Sequence, residues 1–337
     1  MNNISPPSTN HVASAAPSYP NPLWILGAVL LGFALPVCAC AIFFFGSLSS
    51  FGSLGEELTM TDTATGPAIA IVRVEGAITH TDDEEYITGA GSGRVMADLR
   101  AAEADPDVQA IILRVDSPGG TVTGSAQIYE VIVNEITKPV VVSMAGTAAS
   151  GGYYVSAPAD YIFARADTLT GSLGVVLTLI NAKELIDTYG IDVVTITSGE
   201  NKSIGSPWET LTEEQRLIFE AYIDESYEEF VRIIADGRGL SEDTVRQLAD
   251  GRIYSGNQAV ANGLVDELGD LPQAIDKAAD LGGITGEPRL IEYEHIPDFT
   301  SLLLGMNGRL ETTPNEELLN SVYDLLAPRV EYRYMGR

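Results

Sequence analysis

The first 55 residues contain no Asp, Glu, Lys or Arg, and this absence constrains the fold of that part of the chain more than any other feature. Residues 23–45 read LWILGAVLLGFALPVCACAIFFF, an uncharged run about as long as a helix that crosses a bilayer. A cleaved signal peptide is the alternative, but it would carry a basic segment before a shorter apolar run. We therefore predict a retained transmembrane helix over residues 23–45.

The chain as a whole is strongly acidic. It has 47 Asp and Glu residues against 19 Lys and Arg, a net charge of -28, which disfavours nucleic acid as a partner. Charge does not orient the predicted membrane helix, because no basic residue precedes it and the first one after it is Arg73. Both cysteines, Cys38 and Cys40, lie inside that helix, so the remaining chain has no thiol and suits either redox compartment.

Composition divides the chain into an N-terminal tail (1–22), the membrane helix, a linker rich in Ser, Gly and Thr (46–66), a folded domain (67–295) and a C-terminal tail (296–337). Within the domain, apolar strands alternate with helical patterns. Strands are predicted over 68–76, 109–116, 139–145, 160–166, 171–177 and 191–197. Helices are predicted over 92–105, 123–137, 181–189, 211–239 and 241–250, with short ones from Ser150 and over 315–326. The alternation predicts an α/β domain with a mostly parallel sheet.

A single serine, Ser150, stands among small residues in the segment AASGGYY, directly after an apolar strand. The start of a helix supplies free N–H groups and favours negative charge. These features fit a nucleophile whose neighbour, Gly151, donates its N–H to an oxyanion. A second donor is predicted at Gly119 in DSPGG, although on its own this motif is an ordinary strand-to-helix turn.

Serine requires a base, and the sequence offers few candidates. The three histidines, His11, His80 and His295, stand in no recognisable turn beside a strand and are interpreted as surface residues. Of the four lysines, Lys138, Lys183, Lys202 and Lys277, only Lys202 lies in an irregular Gly- and Ser-rich loop after an apolar strand. Lys202 is therefore the preferred base, and an ordinary loop cation is the alternative reading.

The segments DSPGG, AASGGYY, TGSLGV, SGENKSIGSPWE and GRIYSGNQAVANGLVDELG follow one another in this order over residues 67–295. Together they resemble the signal peptide peptidases of the SppA type, in their short single-domain form. The resemblance implies a Clp-protease/crotonase-like fold with repeated β-β-α units. It also implies a Ser150–Lys202 dyad, an oxyanion hole at Gly119 and Gly151, and Ser172 as the residue that orients the lysine. It implies no cofactor and no metal.

The same resemblance implies a membrane-anchored serine endopeptidase that degrades signal peptide remnants or other unstructured peptides. Its N-terminus would be cytoplasmic and its catalytic domain outside the cytoplasm. Its protomers would form a ring, an octamer by resemblance, in which the lysine of one protomer completes the serine site of its neighbour. Three alternatives stay open: a stomatin-associated protease of the same kind, a crotonase-type acyl-CoA enzyme, and a non-catalytic membrane scaffold.

Overall fold

Two runs of buried aliphatic residues form the centre of the fold. The strands β1 (Ala68–Glu75) and β4 (Val108–Ser117) pair in parallel, with Ala70 opposite Ile111 and Val72 opposite Leu113. Alternate side chains of each strand enter different apolar clusters, because successive side chains of a strand point to opposite faces. Both faces of the sheet are therefore covered, which explains why these strands read as almost continuous apolar runs.

The computed structural model describes residues 66–81, 89–293 and 329–335, all of which belong to the unit Ala64–Arg337. The remaining strands are β2 Ile78–Thr79, β3 Ala90–Gly91, β5 Gly119–Thr121, β6 Val140–Ala149, β7 Tyr161–Ala164, β8 Leu169–Gly171, β9 Val176–Thr178, β10 Ile253–Ser255, β11 Glu267–Leu268, β12 Arg289–Glu292 and β13 Arg329–Arg333. The helices are α1 Ser92–Ala104, α2 Val122–Asn134, α3 Gly151–Ser156, α4 Lys183–Thr188, α5 Glu213–Arg238, α6 Glu242–Leu248, α7 Gly256–Ala261 and α8 Leu271–Leu281.

The strands form two sheets. The larger has the order β10-β8-β6-β4-β1-β12, with β7 beside β6 and β11 beside β7, and it is parallel except for the β10–β8 pair. The smaller has the order β3-β2-β5-β13-β9. The predicted α/β class and mostly parallel sheet are confirmed. The helices predicted within residues 92–250 are present, with ends shifted by a few residues.

Two predicted strands differ from the structure. The strand predicted over 171–177 is divided into β8 and β9, because Ser172 and Gly174 have positive φ angles of 51° and 156° and turn the chain. The strand predicted over 191–197 is wrong: this segment forms no ladder within the part of the chain that the structure describes. Its side chains Val194 and Ile196 are 75% and 93% exposed, so no neighbouring strand covers its apolar residues.

Two predicted helices lie outside the described residues. They are the transmembrane helix over 23–45 and the short helix over 315–326. Among the described helices, none is long and apolar enough to cross a membrane.

Candidate active site

Ser150 connects the end of β6 to the start of α3 in a strained backbone conformation. Its φ and ψ angles are 54° and -115°, and its side chain does not cap the helix that follows. The residue is only 1% exposed. A serine held in a sparsely populated conformation at a strand–helix junction is typical of a functional site, because the surrounding structure must hold it there.

A second serine with positive φ lies on the neighbouring strand. Ala149 and Gly171 are paired between β6 and β8, and the Ser150 N–H donates to the Gly171 carbonyl at 2.8 Å. The next residue, Ser172, has a φ of 51° and donates its N–H to the Arg252 carbonyl at 2.7 Å. Within the described ranges, these are the two non-glycine residues with positive φ. The structure thus brings Ser150 and Ser172 to adjacent strand ends.

The two glycine motifs pack against each other without room for a side chain. A methyl group added to Gly119, whose φ is +89°, would lie 2.5 Å from the Gly151 nitrogen. One added to Gly151 would lie 2.6 Å from the Ser125 Oγ and 3.1 Å from the Gly119 Cα. The residues next to Ser150 must therefore be small, because the backbones of the two glycine motifs lie too close together for a side chain. The Gly119 N–H itself donates to the Ser117 Oγ at 3.1 Å.

An extended segment of the same chain lies in the groove beside these glycines. The strand β13 pairs antiparallel with β5 on one side and with β9 on the other, with Tyr332 opposite Gly120 and Arg333 opposite Gly119. The Tyr332 carbonyl oxygen would lie 2.1 Å from a methyl on Gly119 and 3.1 Å from one on Gly151. The Tyr332 carbonyl oxygen therefore lies close to both Gly119 and Gly151.

The side chain of Tyr332 is buried in an aromatic pocket. Its ring is stacked on Tyr154 at 4.9 Å between centroids and packs at 4.8 Å against Phe230, and its hydroxyl donates to the Ser226 carbonyl at 2.8 Å. Burial raises the pKa of the Tyr332 hydroxyl further above its usual value, which already lies well above neutral pH. We call this space the Tyr332 pocket.

The strand β13 lies within residues 296–337, for which composition predicts only a C-terminal tail. A signal was present: Val330 and Tyr332 alternate with the charged Glu331 and Arg333, which is the period of a half-buried strand. The segment is short and its partner β5 is far away in sequence, so alternation alone could not place it in the groove.

Lys202 makes no hydrogen bond to Ser150 within the described chain. It is exposed in the turn-rich loop that follows residues 191–197, and its N–H donates to the Gly199 carbonyl at 3.1 Å. Among the described residues, the Ser150 Oγ has no hydrogen-bond partner. Gly119, Gly151 and Ser172 thus lie near Ser150, whereas Lys202 does not hydrogen-bond to it.

The other candidate bases are engaged away from Ser150 or lie outside the described residues. His80 bonds through Nδ1 to the Gln127 Oε1 at 2.9 Å, whereas His11 and His295 are not described. The remaining lysines have partners of their own: Lys138 binds the carbonyls of Ala102 and Asp105, Lys183 pairs with Asp187, and Lys277 lies over the Tyr161 ring.

Two family profiles match the chain, peptidase family S49 over residues 133–285 and Clp protease over residues 84–166. A protein of Enterococcus faecium assigned as signal peptide peptidase SppA is 33% identical over 306 residues, 87% of each chain. A protein of Synechocystis assigned as a protease is 37% identical over 249 residues, 73% of this chain and 85% of the relative. Protease 4 of Salmonella typhi is 38% identical over 227 residues, 66% of this chain but only 36% of that longer protein.

This chain belongs to the SppA-type peptidases of family S49. The resemblance read from its motifs is thereby confirmed, as is its activity class: it is a serine endopeptidase with a Clp-protease-like α/β domain. The roles of Ser150, Lys202, Gly119, Gly151 and Ser172 remain predictions.

Proposed function

We propose that this SppA-type peptidase is a membrane-anchored enzyme that cleaves signal peptide remnants and other unstructured peptides with a Ser150–Lys202 dyad. One observation carries the assignment of the site: a peptide carbonyl, that of Tyr332, lies against Gly119 and Gly151 next to the strained Ser150. A substrate bound in the same extended manner would present its scissile carbonyl there, since strand addition fixes the register of a peptide.

In the proposed reaction, Lys202 acts as a neutral amine and removes the proton of the Ser150 hydroxyl. The serine oxygen attacks the scissile carbonyl carbon. The Gly151 N–H stabilises the negative oxygen of the tetrahedral intermediate, together with the Gly119 N–H once that group exchanges the Ser117 Oγ for the oxyanion. Lys202 then protonates the leaving amine, which leaves an acyl-enzyme. Water, deprotonated by the same lysine, attacks the ester and releases Ser150. Ser172 positions the lysine amine.

Lys202 would reach this site from a second copy of the chain. The unbonded Ser150 Oγ and the exposed position of Lys202 support this arrangement. Large apolar side chains are exposed on both sides of the loop that carries Lys202, and such a patch is typical of a protein–protein surface. They are Leu185, Tyr189, Ile191, Val193, Val194, Ile196, Leu217, Ile218 and Tyr222. Repeated head-to-tail contacts close into a ring, for which we propose eight protomers by resemblance.

The membrane part of the proposal rests on residues 23–45, whose uncharged run is long enough to span a bilayer. We place the N-terminus in the cytoplasm and the peptidase domain outside it. Protease added to intact spheroplasts should then release or digest the domain. Protection of the domain until the membrane is lysed would reverse the proposed orientation.

Covalent labelling tests the site itself. A serine-directed phosphonate probe should attach to Ser150 of the assembled enzyme, as located by mass spectrometry of the digested protein. The Ser150→Ala variant should not be labelled, whereas Ser156→Ala, which alters a buried serine at the end of helix α3, should be labelled like the wild type. Labelling at another serine would refute the assignment.

A further inference from the structure

Ser117 is a buried serine in close contact with the helix that follows Ser150. It is the last residue of β4 and is fully buried. The first turn of α3 packs directly against it, because a methyl group added to Gly152 would lie 2.8 Å from the Ser117 carbonyl oxygen and 3.4 Å from its Cβ. The Ser117 side chain is therefore enclosed by protein, where a hydroxyl requires hydrogen-bond partners.

The Ser117 hydroxyl joins two turns of the chain. Its Oγ donates to the Gly76 carbonyl at 2.6 Å, in the turn between β1 and β2. The same Oγ accepts the Gly119 N–H at 3.1 Å. A hydroxyl has one proton, so the bond to Gly76 fixes the direction of that proton and leaves the oxygen lone pairs for Gly119. The hydroxyl is thus held as an acceptor for one of the two predicted oxyanion donors.

Hydrogen bonds hold both ends of the peptide group between Pro118 and Gly119. Its N–H donates to Ser117, and its carbonyl oxygen accepts the Tyr334 N–H at 2.8 Å from the strand in the groove. When the groove is empty, only the bond to Ser117 persists. The proposed reaction needs the same N–H for the oxyanion, and the present inference rests on that proposal. Because an N–H carries a single proton, Ser117 and the oxyanion compete for it.

We propose that Ser117 is a positioning residue of the oxyanion site, whose Oγ holds the Gly119 N–H in the resting enzyme and releases it when the negative oxygen forms. The bond to Ser117 is a neutral hydrogen bond, whereas the bond to the oxyanion is charge-assisted and stronger, so the exchange is favourable. An interaction that exists only before the transition state lowers the rate, because catalysis depends on the difference between the two states. Loss of the Ser117 Oγ should therefore strengthen the binding of an oxyanion.

Two probes that differ in one group test this exchange in the Ser117→Ala variant. A tetrapeptide with the sequence of residues 329–332 ends either in an aldehyde or in the corresponding alcohol. The aldehyde forms a hemiacetal with Ser150 and places its oxygen in the oxyanion site, whereas the alcohol does not. For the full-length oligomeric enzyme, we expect Ser117→Ala to lower the Ki of the aldehyde about five-fold and to leave the Ki of the alcohol unchanged. The ratio of the two Ki values isolates the oxyanion from the other contacts of the peptide.

Thermal stability should change in the opposite direction to oxyanion binding. Ser117→Ala removes the donor to the Gly76 carbonyl, so Tm should fall, although the Gly76 N–H keeps its bond to the Asp116 carbonyl at 2.9 Å. A purely structural role of Ser117 would lower Tm and weaken the binding of both probes together. Ser156→Ala is the control, because it also removes a buried hydroxyl, one that donates to the Gly152 carbonyl at 2.6 Å. It should leave the ratio of the two Ki values unchanged.

Ser117→Cys serves as the second variant if Ser117→Ala does not fold. Sulfur is a weaker acceptor than a hydroxyl oxygen, so the Ki ratio should shift in the same direction by a smaller factor. An unchanged ratio in a folded variant, or weaker binding of the aldehyde alone, would overturn the proposal. In Ser150→Ala, the aldehyde should bind no better than the alcohol. If it keeps its advantage there, the proposed site itself is wrong, whereas loss of that advantage together with no effect of Ser117 refutes only the present inference.

Discussion

The segment that carries Ser150 and the segment that carries Lys202 differ in almost every physical respect. Around Ser150, the ends of β5, β6 and β8 approach so closely that Gly119 and Gly151 have no space for a methyl group. Between β9 and α5, the only regular element is the short helix α4, and apolar side chains face solvent. The segment around Ser150 is therefore packed within one chain, whereas the apolar side chains around Lys202 have no surface of this chain to pack on. Under the proposed function, a second copy of the chain would supply that surface together with the base.

The largest expected effect is on catalysis, and we expect it to be equally large for a substitution in either segment. Ser150→Ala and Lys202→Ala should each lower kcat/KM for a peptide by at least about 1,000-fold, because an unassisted or absent hydroxyl cannot form the acyl-enzyme. Peptide hydrolysis measures this, with circular dichroism as the check on folding. The variant without histidines, changed at His11, His80 and His295, should keep most activity. Inactivity of that variant in a folded state would contradict a lysine base.

Substitution of one glycine with positive φ in each segment tests how tightly the two segments are packed. Gly119→Ala places a methyl group 2.1 Å from the Tyr332 carbonyl oxygen and 2.5 Å from the Gly151 nitrogen, so we expect about a 100-fold loss of kcat/KM. Gly190 has a φ of +68° but nothing within 4 Å of an added methyl. Gly190→Ala should cost only the conformational penalty, about 1 kcal/mol, and leave kcat unchanged. Similar activity of the two variants would show that the serine segment is not tightly packed.

Removal of β13 should have a smaller effect and the opposite sign. β13 occupies the groove between β5 and β9. If substrate peptides bind in this groove, as proposed, β13 must leave first, and the apparent affinity for substrate is reduced in proportion to the fraction of grooves that are empty. A chain that ends at residue 328 should show a KM several-fold lower for short peptides. A chain that ends at Met335 is the control and should behave like the wild type. An unchanged KM after loss of β13 would mean that peptides bind elsewhere.

The smallest expected effect concerns acid stability, and it compares a partly buried carboxylate, Asp270, with an exposed one in the segment that carries Lys202. The Asp270 carboxylate bridges two arginines. Its Oδ1 lies 2.8 Å from the Arg114 Nη1, and its Oδ2 lies 2.9 Å from the Arg165 Nη1. Its partial burial opposes ionisation, but hydrogen bonds from Arg114, the Leu271 N–H and Arg165 lower its pKa to about 2. The ionised group therefore stabilises the fold above its unfolded pKa of about 4, and this contribution is lost as the pH falls from about 4 towards 2.

Thermal unfolding at pH 7 and pH 3 measures this contribution. Asp270→Asn should lower Tm at pH 7 and reduce the difference in Tm between the two pH values. Asp187→Asn removes the partner of Lys183 on exposed helix α4 and should leave Tm almost unchanged, since exposed pairs contribute little. Equal pH dependence of the Asp270→Asn variant and the wild type would contradict the assigned role of Asp270.

The sequence predicts the serine segment well because its determinants are local. The apolar runs of β4 and β6, followed at once by DSPGG and AASGG, indicate two strand ends with glycine turns, and the structure places both at one site. Residues 191–197 have the composition of a strand, but a strand needs a partner, and none is available among the described residues. The position of β13 depends on pairing with residues some 210 positions earlier, which no local pattern encodes.

The central claim, that each site takes its serine and its lysine from different copies, is tested most directly by mixing inactive chains. Ser150→Ala and Lys202→Ala chains are dissociated, combined in equal amounts and reassembled. In random rings, about a quarter of the sites unite an intact serine with an intact lysine, so we predict recovery of about a quarter of wild-type activity. Ser150→Ala mixed with the double variant Ser150→Ala/Lys202→Ala is the control and should stay inactive. Mixed rings that form and remain inactive would contradict the account, because the dyad would then lie within one protomer.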